Sequence, residues 1–120
     1  MIRTHGLTHI SLSVEDPERS LAFYEKLLGV REYHRDADSI QVLGPGEKDV
    51  IVFERRPLAG RPGGIDHFGF RLTDPADIDD AVRTAEEAGA VILRRGEFAP
   101  GSPYVYLEDP DGYTIEIWYE

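Results

Sequence analysis

Two histidines and a glutamate are the side chains of this sequence best suited to hold a metal ion. Residues His9-Ile-Ser-Leu-Ser-Val-Glu-Asp-Pro17 and His67-Phe-Gly-Phe-Arg-Leu-Thr-Asp-Pro75 share a leading histidine, an alternating apolar run and a closing Asp-Pro, 58 positions apart. A fixed internal repeat marks a structural unit used twice, so the two imidazoles stand at equivalent points and suggest a shared site. In the first copy Ile10, Leu12 and Val14 alternate with His9, Ser11 and Ser13, and in the second Phe68, Phe70 and Leu72 alternate with His67, Gly69 and Arg71. Both histidines therefore lie on the polar face of a strand. Near the C-terminus Ile115, Ile117 and Tyr119 alternate with Thr114, Glu116 and Trp118, which puts Glu116 on the corresponding face of its own strand. Two imidazoles and one carboxylate are the facial ligand set of non-haem Fe(II) oxygenases and also suit Mn(II), Ni(II) or Zn(II), with positions left open for substrate. A lone strand histidine is more often a hydrogen-bonded structural residue. The register of two histidines with a glutamate is what favours the metal.

The elements that must position these residues follow from the same repeat. Asp16 is placed to cap a helix, Pro17 suits its first turn, and Leu21, Tyr24 and Leu28 share one side before Gly29 ends it. Strands are expected at 7–14, 30–35, 39–43 and 48–55, the last two joined through Gly44-Pro45-Gly46. The segment Pro57-Leu-Ala-Gly-Arg-Pro-Gly-Gly64 has five Pro or Gly in eight residues and reads as a linker. A second helix opens at Asp74-Pro75, carries Ile78, Ala81, Val82 and Ala85 inward and stops at Gly89; strands at 90–95, 103–108 and 113–119 follow, with a turn at Asp109-Pro110-Asp111-Gly112. The expected fold is α+β: two βαβββ modules, about 5–56 and 65–120 with the linker at 57–64, forming one curved, barrel-like mixed sheet with the helices outside. His9, His67 and Glu116 would then line the inner surface.

At 120 residues the chain is large enough for one core shared by both halves, and a single domain spanning 1–120 is expected. No apolar run approaches the roughly 20 residues of a membrane span, and a net charge of -10 opposes capture of nucleic acid or anionic lipid. Neither nucleic acid nor a membrane is an expected partner, and a small-molecule substrate is. Zero cysteines exclude thiolate metal sites and fit a cytoplasmic location.

The pattern His9-x-x-Leu-x-Val-x-Asp-Pro, the helix end Phe23-Tyr-Glu-Lys-Leu-Leu-Gly29, the run Asp66-His-Phe-Gly-Phe70 and the closing Tyr106-Leu-Glu-Asp-Pro-Asp-Gly-Tyr-Thr-Ile-Glu116 together resemble the vicinal oxygen chelate superfamily. That group contains glyoxalase I, extradiol dioxygenases, methylmalonyl-CoA epimerase, fosfomycin-inactivating enzymes and bleomycin-resistance proteins. The resemblance covers essentially the whole chain, and it implies that His9, His67 and Glu116 bind one divalent metal ion (Fe, Mn, Ni or Zn). The family draws a further ligand from the strand at 48–55, where strict alignment places Val52; Glu54, two residues on and on the same face, is the candidate ligand or catalytic base. A salt bridge with neighbouring arginines explains Glu54 equally well. Tyr106 lies ten residues before Glu116, the separation of an active-site tyrosine in the dioxygenases and fosfomycin enzymes; its plainer role is to fill the barrel mouth. Ring-cleaving relatives use an additional histidine, and 49–66 contains none.

The resemblance thus implies a metal-dependent enzyme that chelates a small oxygen-bearing substrate, either a glyoxalase-like lyase or isomerase or an extradiol-dioxygenase-like oxygenase. The alternative is a metal-free drug- or ligand-binding protein of the bleomycin-resistance kind. A homodimer is expected, as superfamily members of this length usually pair. Phe98, Tyr104, Tyr113 and Trp118 are candidates for an aromatic wall. Arg55-Arg56, Arg61 and Arg94-Arg95 are the basic clusters, read mainly as surface charge.

Overall fold

The computed structural model describes residues 1, 3, 5–57 and 65–120; most of the expected linker, and Arg61 with it, lies outside them. The chain divides into two compact units, Met1–Ala59 and Gly60–Glu120. The first contains β1 (His9–Val14), α1 (Pro17–Leu28), β2 (Arg31–Arg35), β3 (Ser39–Leu43) and β4 (Val50–Arg55). The second contains β5 (Phe68–Arg71), a 3-10 turn at Pro75–Asp77, α2 (Ile78–Glu87), β6 (Val91–Glu97), β7 (Pro103–Glu108) and β8 (Thr114–Trp118). Each module is βαβββ, as the repeat requires. The hydrogen-bonded ladders close within the modules, giving two four-stranded sheets in the orders β1-β4-β3-β2 and β5-β8-β7-β6. Each sheet is mixed, because the helix crossover makes β1–β4 and β5–β8 parallel while the hairpins make the other pairs antiparallel.

In module one the Asp16 side chain accepts the Glu18 N–H at 3.1 Å and Gly29 ends the helix at φ 66°, a left-handed conformation that glycine adopts without a Cβ clash. Helix α1 buries Pro17, Ser20, Leu21, Phe23 and Tyr24. Tyr24 and Phe53 are both fully buried, with ring centroids 5.0 Å apart, and they join Val14, Ile40, Val42 and Ile51 in the core.

In module two Asp74 caps by accepting the Ala76 N–H at 2.8 Å, but the first residues wind as a 3-10 turn before α2 begins at Ile78. The Asp77 N–H bonds back to the Asp74 carbonyl, the tighter i to i+3 spacing of that turn. The core is carried by Val105, Leu107, Tyr113, Ile115 and Ile117. Tyr113 is thus a core residue rather than part of an aromatic wall, because it shares the parity of Ile115 and Ile117. Each module has one register shift in the same place, between Glu32 and His34 in β2–β3 and between Ile92 and Arg94 in β6–β7. No helix among the described residues is long and apolar enough to cross a membrane.

Candidate functional site

In module two the parallel ladder pairs Gly69 with Glu116, and the neighbouring antiparallel ladder pairs Tyr106 with Glu116. A row Gly69–Glu116–Tyr106 therefore crosses the polar face of the sheet, with His67 one pleat period before Gly69. A Cβ on Gly69 would meet the Trp118 indole nitrogen at 3.2 Å and Glu116 Oε2 at 3.4 Å, so the glycine leaves the carboxylate room. The His67 Nε2 atom lies 3.2 Å from Glu116 Oε2, and its Nδ1 contacts Asp66 Oδ1. The Glu116 side chain is 11% exposed and that of His67 31%.

This arrangement has a chemical consequence. A neutral imidazole carries one N–H, yet both ring nitrogens of His67 face a carboxylate. If Nδ1–H donates to Asp66, the Nε2 lone pair points at Glu116, and a cation between them would satisfy both. A carboxylate behind a histidine is the usual outer partner of a metal ligand, because it sets tautomer and ring orientation. His67 and Glu116, backed by Asp66, thus fit a divalent ion as two of its ligands.

Tyr106 stands edge-on to His67, with ring centroids 5.1 Å apart. The neighbouring Glu116 carboxylate raises the phenol above its ordinary range; burial adds to the shift and Arg94 opposes it. The neutral phenol is a hydrogen-bond donor at neutral pH. The Arg94 guanidinium lies 4.6 Å from the centre of the Tyr106 ring, a cation–π contact that takes it out of the surface-charge class. Its neighbour Arg95 pairs with Asp79 at 2.5 Å, as a surface charge does. From Tyr106 the aromatic row continues to Tyr104 at 5.5 Å and on to Phe98, stacked on Tyr104 at 4.4 Å. Trp118 instead stands under Arg71, 5.9 Å away.

In module one His9 is exposed and its Nδ1 is 3.5 Å from the Thr8 hydroxyl. It lines a groove of about 370 Å³ with Thr8, Ser11, Tyr33, Gln41, Lys48, Val50, Val52 and Glu54. The ladder pairs Ser11 with Val52 and Ser13 with Glu54 without a break. Val52 consequently holds the place in module one that Glu116 holds in module two, and Glu54 the place of Trp118. Glu54 remains on the groove face, where Arg56 pairs with it at 2.9 Å. A larger cleft of about 480 Å³ at Glu15, Arg55, Arg56 and Pro57 contains none of the candidate site residues.

The structure therefore brings His67, Glu116 and Tyr106 together, and places His9 and Glu54 in one groove. Among the described residues no three His, Asp or Glu side chains gather as a complete metal cluster. Sequence reasoning missed Asp66, whose only signal was its place beside His67, and Tyr33, Gln41 and Lys48, which share a groove only once β2, β3 and β4 pair.

Known proteins agree with this architecture. The profile described as the Glyoxalase/Bleomycin resistance protein/Dioxygenase superfamily matches residues 6–117. The chain is 35% identical over 123 residues to an uncharacterized protein of Pseudomonas aeruginosa, covering 94% of this chain and 87% of that one. It is 30% identical over 130 residues to the lactoylglutathione lyase of Neisseria meningitidis, covering 92% and 88%. It is 29% identical over 126 residues to the catechol-2,3-dioxygenase of Bacillus subtilis, covering 98% of this chain but only 44% of the dioxygenase. A fosfomycin resistance protein of Listeria monocytogenes, solved with Mn(II) and 1S,2S-dihydroxypropylphosphonic acid, has the same fold at a TM-score of 0.82 and 19% identity, over 96% of this chain and 90% of that one. With nearly its whole length matched and both modules built as the repeat requires, this chain belongs to the glyoxalase/bleomycin resistance protein/dioxygenase superfamily.

Proposed function

We propose that this protein is a divalent-metal-dependent enzyme acting on a small organic substrate that offers two adjacent oxygens. The observation that carries the reading is the His67 imidazole set between two carboxylates, 3.2 Å from the nearly buried Glu116. His67 and Glu116 are the metal ligands of module two, and His9 is the third ligand by its equivalent place in the repeat. A bound divalent cation supplies Lewis acidity, lowering the proton affinity of the substrate oxygens it polarises. Tyr106 donates its phenolic hydrogen bond to a substrate oxygen. Its donor character is secured by Glu116, which keeps the proton on the phenol.

Of the two chemistries, proton transfer of the lyase or isomerase kind is favoured by Glu54. Its carboxylate lines the His9 groove, held by Arg56 at 2.9 Å, and a positioned carboxylate can take a proton from a carbon beside a carbonyl and return it to the neighbouring carbon. The oxygenase reading is supported by the likeness to a catechol dioxygenase across nearly the whole chain. The reading extends to one domain acting as a homodimer in the cytoplasm; sedimentation at micromolar concentration, giving twice the 13.5 kDa chain mass, checks the dimer.

Elemental analysis of protein purified without chelator tests the metal, with one equivalent expected and most of it lost in His67→Ala. Undiminished metal in that variant, or a ligand bound tightly by wild type with no metal present, returns the protein to the binding class. Glu54→Gln separates the chemistries. It should abolish anaerobic exchange of the α-proton of a hydroxyketone if proton transfer is the reaction, and leave oxygen uptake with catechols by the iron-loaded protein intact if ring cleavage is.

A further inference from the structure

The groove of module one is charged at both ends. Along β4 and the residue before it, Lys48, Val50, Val52 and Glu54 share one face, so the lysine and the glutamate stand six residues apart, roughly 20 Å along an extended chain. Glu54 is neutralised by Arg56. Lys48 lines the groove and has no hydrogen-bond or ion-pair partner among the described residues. Several arginines of this acidic chain are held by carboxylates, Arg31 with Glu47, Arg35 with Glu18 and Glu32, Arg83 with Asp80 and Arg95 with Asp79. An unpaired cation inside a concavity of a protein carrying -10 is the exception.

Beside it the groove offers oriented hydrogen-bonding groups. The Tyr33 hydroxyl donates to Gln41 Oε1 at 2.7 Å, which fixes the amide and leaves its NH2 group to donate elsewhere. Ser11 and Gln41 flank Val52 on opposite sides in the ladders, and His9 is paired with Val50, one pleat period from Lys48. The lysine and His9 therefore lie at the same end of the groove.

We propose that this groove is a binding subsite for the carboxylate of a small organic acid. Lys48 neutralises the anionic group, and the Gln41 amide and Ser11 hydroxyl take further oxygens of the same ligand. A single lysine matches a monoanion, whereas a phosphate or phosphonate dianion calls for a second cation, and Arg31, in the same ladder row as Val50 and His9, is committed to Glu47 as Arg56 is to Glu54. The inference deepens the metalloenzyme reading by naming a substrate class, and it rests on that reading only for the role of His9.

An amide-resolved NMR titration of the metal-free protein with acetate and benzoate, against acetamide and benzamide, tests it. The carboxylates should shift the Lys48 and Val50 amides and the Gln41 side-chain NH2, and the neutral amides should not. Lys48→Met should weaken carboxylate binding about tenfold, the equivalent of one charge-assisted hydrogen bond, and Lys48→Arg should retain it. Absence of these shifts, or equal shifts in Lys48→Met, overturns the subsite. Inorganic phosphate binding more tightly than either carboxylate overturns the monoanion assignment. Mn(II) added afterwards reports separately: carboxylate shifts with no paramagnetic broadening around His67 keep the subsite and remove the metal reading, and broadening without carboxylate shifts does the reverse.

Discussion

Helix α1 lays Leu21, Phe23 and Tyr24 into the core of module one, whereas at the equivalent place in module two Ala85 alone of the ten residues of α2 is buried. The two halves differ equally on their polar faces. The residue before each histidine is Thr8 in one and Asp66 in the other, and the residue opposite Ser11 or Gly69 is Val52 in one and Glu116 in the other. One repeat has thus been filled in two ways. In module one large side chains hold the helix to the sheet, and the polar face is an open groove with dispersed charge. In module two the helix is lightly held, and the polar face concentrates an imidazole, two carboxylates and a phenol. Equivalent backbone positions can carry different chemistry, because a one-residue change in what occupies the ladder decides whether a position offers a carboxylate or a methyl group.

The largest effect expected from this contrast is on stability. Tyr24→Ala removes a fully buried ring packed on Phe53 and should cost about 3–5 kcal/mol. Val82→Ala on α2, which is only partly buried, should cost about 1 kcal/mol or less. Urea unfolding followed by far-UV circular dichroism measures both, and equal losses would erase the difference between the helices.

Next comes the partner of each histidine. Asp66→Asn should lower metal affinity about 10–100-fold, the usual cost of losing an outer-shell carboxylate. Thr8→Ala should change it little, since the Thr8 hydroxyl reaches Nδ1 only at 3.5 Å, the outer limit of a hydrogen bond. Competition against a metal-responsive dye gives both constants; a larger loss for Thr8→Ala would reverse the roles assigned to the modules.

The smallest expected effect is acid sensitivity at the β2–β3 turn of module one. The Asp36 carboxylate accepts the N–H groups of Asp38 at 2.9 Å and Ser39 at 2.8 Å and the Ser39 hydroxyl at 3.0 Å, and these bonds, the Asp38 N–H foremost, hold it below the ordinary carboxylate range. A depressed carboxylate contributes stability at pH above its unfolded value and loses it as pH falls through the folded one. Asp36→Asn should therefore flatten the acid limb of the unfolding midpoint below about pH 4 and leave the neutral region nearly unchanged. An unaltered acid limb would show that the turn does not couple to global unfolding.

Much of this architecture was legible in the chain. The caps at Asp16 and Asp74, the stop at Gly29, the strand parities of His9, His67 and Glu116, and the ten-residue spacing of Tyr106 from Glu116 are local or periodic signals, set by 3.6-residue and two-residue repeats that need no distant partner. The repeat itself announced two equivalent modules. What it did not announce depends on which strands pair and in what register. Asp66 and Glu116 face the same imidazole across fifty residues of chain, Arg94 covers Tyr106 because β6 and β7 pair with a register shift, and Tyr113 turns to the core with Ile115. Lys48, Gln41 and Tyr33 meet His9 through four strands whose order, β1-β4-β3-β2, differs from their order in sequence. Sequence determined the faces on which the chemical groups stand; only tertiary structure decided which groups share a face, because strand pairing joins residues at separations that periodicity does not encode.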